Sequence, residues 1–289
     1  MKNVSHIAFI SFLVLVSLIA LFVLSLRGWS YYFTPLELRP FLPEYSTMKP
    51  SGNYSHGLGI IGSLMVITGV TMYSTRKRIR AFWNIGKLSR WLEVHIFLCL
   101  LGPILIVYHT TFKAGGIAAI SLWSMLSVVG SGLVGRFLYV QIPRNLNGSE
   151  LTMEEISNEM ERLGKLLQAY PVGILLSSMI DKSFATIRKP ETLPETFAAI
   201  VRLERLKGQT RTKMREILSW NKISPDVATR LRTAALARAA LTQKSLVLIQ
   251  IERLFFLWHA IHLPFTIIMF ITLATHVAVG ILLGYRWIF

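Results

Sequence analysis

Residues 95–109 (HIFLCLLGPILIVYH) and residues 262–276 (HLPFTIIMFITLATH) each begin and end with histidine. Between the histidines both stretches are predominantly apolar and uncharged. Fourteen helical steps turn through about 1400°, roughly 40° short of four whole turns, and rise about 21 Å. Each stretch is therefore predicted to be a helix that presents two imidazoles on nearly the same face.

The composition predicts the surroundings of these helices. Hydrophobic residues make up 53% of the 289 residues, yet the formal net charge is +16. Membrane proteins with basic cytoplasmic segments combine these two features, whereas soluble domains rarely do. Alternating strand patterns are absent. We therefore expect an integral membrane protein of the all-α class, in contact with membrane lipid.

Uncharged runs long enough to cross a bilayer, which takes about 20 helical residues, occur five times. The first run is longer than the core of a typical signal peptide, and no Ala-x-Ala cleavage site follows it, so an anchor is favoured over a cleaved signal. The sequence thus predicts a five-span helical bundle, with spans at residues 7–26, 57–74, 94–112, 115–135 and 254–283.

The basic loops predict the orientation. Residues 75–90 (TRKRIRAFWNIGKLSR) carry six basic and no acidic side chains, which places this loop in the cytoplasm. A multi-pass protein of the cell inner membrane follows, with the N-terminus inside and the C-terminus outside. The third and fifth spans then run in the same direction. His95 is expected level with His262 near the inner face, and His109 level with His276 near the outer face.

Three regions are predicted: residues 1–140 with spans one to four, a cytoplasmic helical insert at residues 141–253, and residues 254–289 with the fifth span. The insert carries eighteen basic and twelve acidic side chains. It exceeds the roughly 2 to 8 residues of an ordinary helix connection. We therefore expect it to dock a soluble redox partner; a domain that braces the bundle at the lipid surface is the alternative.

The insert contains clear helix signals. Thr152 stands three residues before Glu155, which is the spacing of a capping box, and the pattern that follows ends at Pro171. A second helical pattern begins near residue 193. Ser224 and Pro225 are typical of a third helix start. No breaker follows before Pro264, so this helix is expected to continue into the fifth span.

Four histidines at two matched depths indicate a function, because ionisable residues within a membrane cost free energy. Neutral imidazole is a ligand of iron, and a haem held by two histidines suits the interior of a helical bundle. Two stacked haems are expected, with His95, His109, His262 and His276 as iron ligands. Zinc or copper is less suited, since no carboxylate or thiolate lies at a matching depth. Hydrogen bonding between helices is the non-redox alternative for all four residues.

Several other residues are candidates near the haems. Gly102 and Gly132 remove bulk where a macrocycle could lie against backbone, although close helix packing uses the same residues. Arg136 is a candidate partner of a haem propionate at the inner level, or an ordinary charge at the membrane boundary. The single cysteine excludes a CxxCH attachment and an iron–sulfur cluster within this chain, so the haems are expected to be non-covalent and b-type.

Two further histidines compete with these assignments. His259 lies one turn before His262, but its seventeen-residue spacing to His276 leaves a mismatch of about 100° on the helix. The spacing therefore favours His262 as the inner ligand. His56 is interpreted as a cap at the outer interface, with a role in quinone binding or proton transfer as the alternatives.

The paired spacing on two parallel spans resembles the transmembrane di-haem b-type cytochromes, namely the quinol-oxidising cytochrome b and the membrane domains of ferric reductases and NADPH oxidases. The resemblance covers residues 56–140 and 254–286. In the reductases the ligands also lie on the third and fifth helices, which implies this role for the four paired histidines. Those reductases carry a C-terminal flavin and nicotinamide domain, whereas this sequence ends at Phe289. The insert matches neither family.

These patterns predict a membrane electron-transfer subunit without catalytic residues of its own, in a quinone-linked or reductase complex. A redox partner is expected at the insert or the outer face, and quinone is a further candidate ligand. Nucleic acid is excluded as a partner, because the basic residues flank the membrane and the insert lacks interleaved aromatic side chains. A membrane transporter or assembly protein with proton-handling or metal-handling histidines is the alternative.

Overall fold

The computed structural model describes residues 2–115, 118–143, 151–221 and 223–283. Helices make up 84% of the structure, and the described ranges contain no β-strand. The all-α class expected from the sequence is therefore confirmed.

The α-helices within the described ranges are α1 (Lys2–Arg27), α2 (Trp29–Phe33), α3 (Tyr45–Met48), α4 (Asn53–Arg78), α5 (Leu88–His109), α6 (Ala118–Gln141), α7 (Met153–Gln168), α8 (Pro171–Ala185), α9 (Leu193–Trp220) and α10 (Pro225–Leu282). Two short 3-10 helices, Arg39–Phe41 and Arg80–Phe82, lie in the connections before α3 and before α5.

Five of these helices, α1, α4, α5, α6 and α10, are long and apolar enough to cross a membrane. The sequence predicted five such segments, and within the described residues their number agrees. The longest, α10, extends without interruption from Pro225 to Leu282 and passes through Pro264. The expected continuation of the third insert helix into the fifth apolar segment is therefore confirmed.

The chain divides into two compact units, residues 1–133 with 261–289 and residues 134–260. The second unit extends seven residues beyond the predicted insert of residues 141–253 at each end. The reason is packing, because the end of α6 and the middle of α10 join the core of this unit through Leu138, Leu254 and Phe255.

The core of the first unit is built around α4 and α5, which run antiparallel. Gly62 on α4 and Gly102 on α5 let the two backbones approach closely: a Cβ at Gly62 would lie 2.6 Å from the Gly102 carbonyl oxygen, and a Cβ at Gly102 would lie 2.7 Å from that of Gly62. Small residues of this kind allow tight helix contact. A second cluster joins these helices to α6 and α10 through Val66, Met125 and Met269.

The second unit buries a continuous apolar core between α7, α8, α9 and α10, with Ile156, Leu176, Leu203 and Leu231 almost fully enclosed. The predicted capping box is confirmed: the Thr152 hydroxyl accepts from the Glu155 amide, and the Glu155 carboxylate accepts from the Thr152 amide. The sequence patterns did not separate α8. Pro171 was taken as the end of the first helix, whereas it occupies the first turn of the next one, where proline is well tolerated.

Candidate functional site

The structure brings together the histidines at one end of the two fifteen-residue stretches. His109 closes α5 and His276 lies on α10, and their ring centroids are 6.5 Å apart with the ring planes inclined by 67°. An imidazole nitrogen binds a metal at about 2.0 Å, so two rings on opposite sides of one ion have centroids about 6 Å apart. The observed separation is compatible with one metal ion between the rings.

Backbone carbonyls of α4 fix the orientation of both histidines on α5. His95 Nδ1 lies 2.9 Å from the Gly69 oxygen, and His109 Nδ1 lies 2.9 Å from the Ser55 oxygen. A carbonyl oxygen can only accept, so Nδ1 carries a proton in each ring, and in the neutral imidazole Nε2 then keeps its lone pair. The two carbonyls are fourteen residues apart on α4, the same spacing as the histidines on the antiparallel α5.

A serine on α6 contacts His262. The Ser131 oxygen lies 2.9 Å from the Val128 carbonyl oxygen, to which its hydroxyl can donate, and 2.7 Å from His262 Nδ1. With the hydroxyl proton directed to Val128, the oxygen is able to accept from Nδ1. His95 and His109 thus use Nδ1 as a donor, and Ser131 offers His262 the same contact; in this arrangement proteins orient a histidine for metal binding through Nε2.

The other two histidines of the pairs contact different helices at the opposite end. His95 lies between the Tyr73 ring, whose centroid is 5.1 Å away, and the Cys99 thiol, whose sulfur is 3.6 Å from His95 Nδ1. His262 contacts α6 at Ser131 and next to Gly132, where an added Cβ would lie 3.8 Å from His262 Cε1. Gly132 therefore borders His262; its predicted role in making room for a macrocycle stays a prediction.

The remaining candidates have other neighbours. Gly102 packs against the Gly62 backbone, which is the helix-packing role left open by the sequence. The guanidinium of Arg136 lies 5.6 Å from the centre of the Tyr139 ring; its pairing with a propionate stays a prediction.

Sequence reasoning missed two residues beside these histidines, Gly59 and Ser131. A Cβ at Gly59 would lie 2.8 Å from the His109 ring, so only glycine leaves room there. Ser131 is polar within an apolar helix, which is the sequence signal that could have identified it. His56, interpreted from the sequence as a helix cap, lies beside the same pair, with its ring centroid 6.0 Å from that of His109.

His259 has aromatic surroundings within the second unit. Its ring centroid lies 5.1 Å from that of Trp258 and 6.0 Å from that of Phe255. The helical spacing that favours His262 as the ligand is therefore accompanied by a difference in environment, since His262 contacts a hydroxyl that orients its ring.

A buried arginine closes the loop that leads into α5. Arg76, near the end of α4, donates to the carbonyls of Trp83, Ile85 and Gly86, at 2.6, 3.2 and 3.0 Å.

Glu93, on the first turns of α5, is buried. One of its carboxylate oxygens lies 3.7 Å from His6 Nδ1, and the other lies 3.7 Å from Arg90 Nη1. These polar contacts fix the start of the helix that carries His95.

Among the described residues, no three His, Cys, Asp or Glu side chains lie close enough together to hold a metal ion. Of the two predicted histidine pairs, the structure brings together the rings of His109 and His276, whereas His95 contacts α4 and His262 contacts α6. No protein-family model, curated protein or solved structure matches the chain.

Proposed function

We propose that the chain is a multi-pass protein of the cell inner membrane that carries electrons across the bilayer on two non-covalent b-type haems. His109 and His276 would hold one haem, and His95 and His262 the other. The observation that carries the proposal is the outer pair, whose rings are 6.5 Å apart, together with the Nδ1 hydrogen bond that orients His109 for binding through Nε2.

The exposed surface of the first unit supports a membrane location. Large apolar side chains on the outside of α1, such as Phe12, Leu15 and Phe22, are more than half exposed. In water such a continuous patch would favour aggregation, whereas lipid solvates it. The excess of basic residues in the loop at residues 75–90 supports an orientation in which the His95 and His262 end faces the cytoplasm and the C-terminus lies outside.

A bound haem supplies reversible one-electron chemistry at its iron. The residues of this chain position the ligands and exclude water. Gly69 and Ser55 accept the Nδ1 protons of α5, and Ser131 does so for His262. The apolar side chains between the histidine levels, among them Ile106 and Val66, keep this part of the bundle dry.

The electron partners are proposed from the surface of the second unit. Phe197, Val201 and Arg205 follow one another at four-residue steps on α9, so they lie along one exposed stripe. Exposed aromatic and arginine side chains are enriched where proteins dock. We assign this stripe to a soluble redox partner, and quinone remains a second candidate partner of the chain.

The proposal is tested by a reduced-minus-oxidised visible spectrum of the purified protein. The expected result is the pair of sharp bands that low-spin b-type haem gives on reduction. A transporter or assembly protein whose histidines handle protons or a metal ion would give no such bands, and their absence after expression with sufficient haem would favour that alternative.

The inner ligand is tested by replacing each neighbouring histidine separately. We expect His262→Ala to remove one of the two haems, because it deletes the imidazole oriented by Ser131. His259→Ala is expected to keep both, because that ring packs on Phe255 and Trp258. Haem is counted per chain in each purified variant. Loss in His259→Ala with retention in His262→Ala would reverse the assignment.

The orienting role of Ser131 predicts a smaller effect. Ser131→Ala removes the acceptor of the His262 Nδ1 proton, and we expect haem affinity at that site to fall about tenfold, as is typical when such a partner is lost. The measurement is the rate of haem transfer to an excess of an acceptor protein. Ser121→Ala is the matched control, because Ser121 lies on the same helix but bonds to Thr272. Equal rates in both variants would contradict the assigned role.

The docking stripe predicts a kinetic change without loss of haem. Phe197→Ser combined with Val201→Ser is expected to slow haem reduction by a native soluble cell extract about tenfold, since both side chains would be buried by the partner. Trp220→Ser is the control: Trp220 is 87% exposed but lies at the far end of α9. Unchanged kinetics in the double variant would leave a lipid-bracing role for the insert.

A further inference from the structure

The turn that follows His109 has an unusual backbone conformation. Thr111 has a φ of 53° and Phe112 a φ of 62°, and they are the non-glycine residues with positive φ among those the structure describes. The left-handed region is sterically unfavourable for side chains with a Cβ, most of all for a β-branched residue such as threonine. Two consecutive residues in this region indicate that the surroundings hold the turn in place.

One buried arginine supplies that restraint. Arg39, only 6% exposed, donates from Nη1 to the Thr111 carbonyl at 2.8 Å. Its other donors reach the carbonyls of Tyr32, from Nη2, and of Thr34, from Nε, each at 2.9 Å. The guanidinium therefore joins the end of α5 to two points of the segment between α1 and α4.

Aromatic packing surrounds the same turn. The Phe112 ring lies 5.4 Å from the Tyr32 ring and 5.3 Å from the Tyr108 ring, between centroids, and Arg39 lies 5.1 Å from the centre of the Tyr31 ring. Burial raises the pKa of both Tyr31 and Tyr32, so these phenols stay neutral. The described partners of the Arg39 charge are consequently carbonyl dipoles and a ring face.

We infer that Arg39 is a positioning residue for His109: it holds the Thr111 carbonyl, keeps the left-handed turn from relaxing, and thereby fixes the ring opposite His276. This role rests on the proposed function where it concerns haem. The restraint on the turn itself is a property of the chain and can be measured without haem. Arg39 is buried next to a helix end whose last turn, residues 105–109, carries no acidic side chain.

The first experiment replaces Arg39 with glutamine in the full-length protein. We expect one of two haems to be lost, and backbone amides of residues 105–113 to exchange with deuterium about tenfold faster or more. Combining Arg39→Gln with His95→Ala should then leave no haem, which identifies the lost one as the outer haem. Arg27→Gln is the matched control, since Arg27 lies over the Tyr54 ring at the same end of the bundle.

A second substitution, at Thr111, tests whether the Arg39 variant loses haem because the left-handed turn relaxes or only because the Arg39 hydrogen bonds are missing. Glycine adopts the left-handed region without steric cost, so Thr111→Gly added to Arg39→Gln is expected to restore the outer haem and slow the exchange. Thr111→Ala added to Arg39→Gln removes the same hydroxyl but keeps a Cβ, and it should restore neither. If Arg39→Gln does not accumulate, Arg39→Lys takes its place, because one ammonium group cannot replace three directed donations.

Unaltered exchange over residues 105–113 in the Arg39 variant would overturn the inference, whatever the haem content. Equal restoration by glycine and alanine at Thr111 would also overturn it, because the strain would then play no part. If the wild-type protein holds no haem, the proposed function fails, and the exchange measurements alone decide the role of Arg39.

Discussion

His109→Ala is expected to reduce the haem content of the purified protein from two per chain to one. The variant deletes the ring that lies 6.5 Å from His276 and whose Nδ1 donates to the Ser55 carbonyl. His276 would then have no ring opposite it at this position, so the loss should be nearly complete. Haem per chain and the amplitude of the reduced spectrum measure the effect, and His276→Ala should give the same result.

His56→Ala is the control for this prediction. The His56 ring is 6.0 Å from that of His109, so it shares the local environment and is the nearest competitor for the outer ligand. We expect this variant to retain both haems. Retention in His109→Ala with loss in His56→Ala would transfer the ligand role to His56.

Gly62→Ala is expected to destabilise the α4–α5 pair by about 2 to 3 kcal/mol, the upper part of the range for overpacking a tight interior. The new Cβ would meet the Gly102 carbonyl oxygen at 2.6 Å, and backbone cannot move aside as a flexible side chain can. Separating the helices would also lengthen the hydrogen bonds from His95 and His109 to α4. The measurement is the free energy of unfolding in mixed micelles.

The matched control is Gly130→Ala on α6, where an added Cβ would have nothing within 4 Å. Alanine is favoured over glycine in a helix by roughly 0.5 to 1 kcal/mol, so this variant should be neutral or slightly more stable. Equal destabilisation in both variants would show that the backbone contact between Gly62 and Gly102 is not what holds the pair together.

Much of the fold could be predicted from the sequence because its main signals are local. Uncharged runs identified the five long apolar helices, and the spacing of Thr152 and Glu155 identified a capping box that the structure contains. The continuation of the third insert helix into the fifth apolar segment followed from the absence of a breaker between Pro225 and Pro264. The start of α8 was missed, because Pro171 was taken as the end of the first helix, whereas α7 ends at Gln168 and Pro171 occupies the first turn of α8.

The site was predictable only in part, because its remaining residues are brought together by packing between helices. The fourteen-residue spacing within each histidine pair, on two helices expected to run parallel, predicted His109 and His276 at a common level. The structure brings their rings together. The orienting groups could not be found in this way, since the Ser55 and Gly69 acceptors are backbone atoms, which every residue carries. Arg39 acts over 72 residues of separation in sequence, beyond the reach of any helical period.

The most direct test of the account is the haem content of the purified wild-type chain, measured as pyridine haemochrome against protein from amino-acid analysis. The account predicts two b-type haems per chain after expression with sufficient haem, and none in a variant with His95, His109, His262 and His276 all replaced by alanine. A wild-type chain without haem, or equal haem in the two proteins, would contradict it.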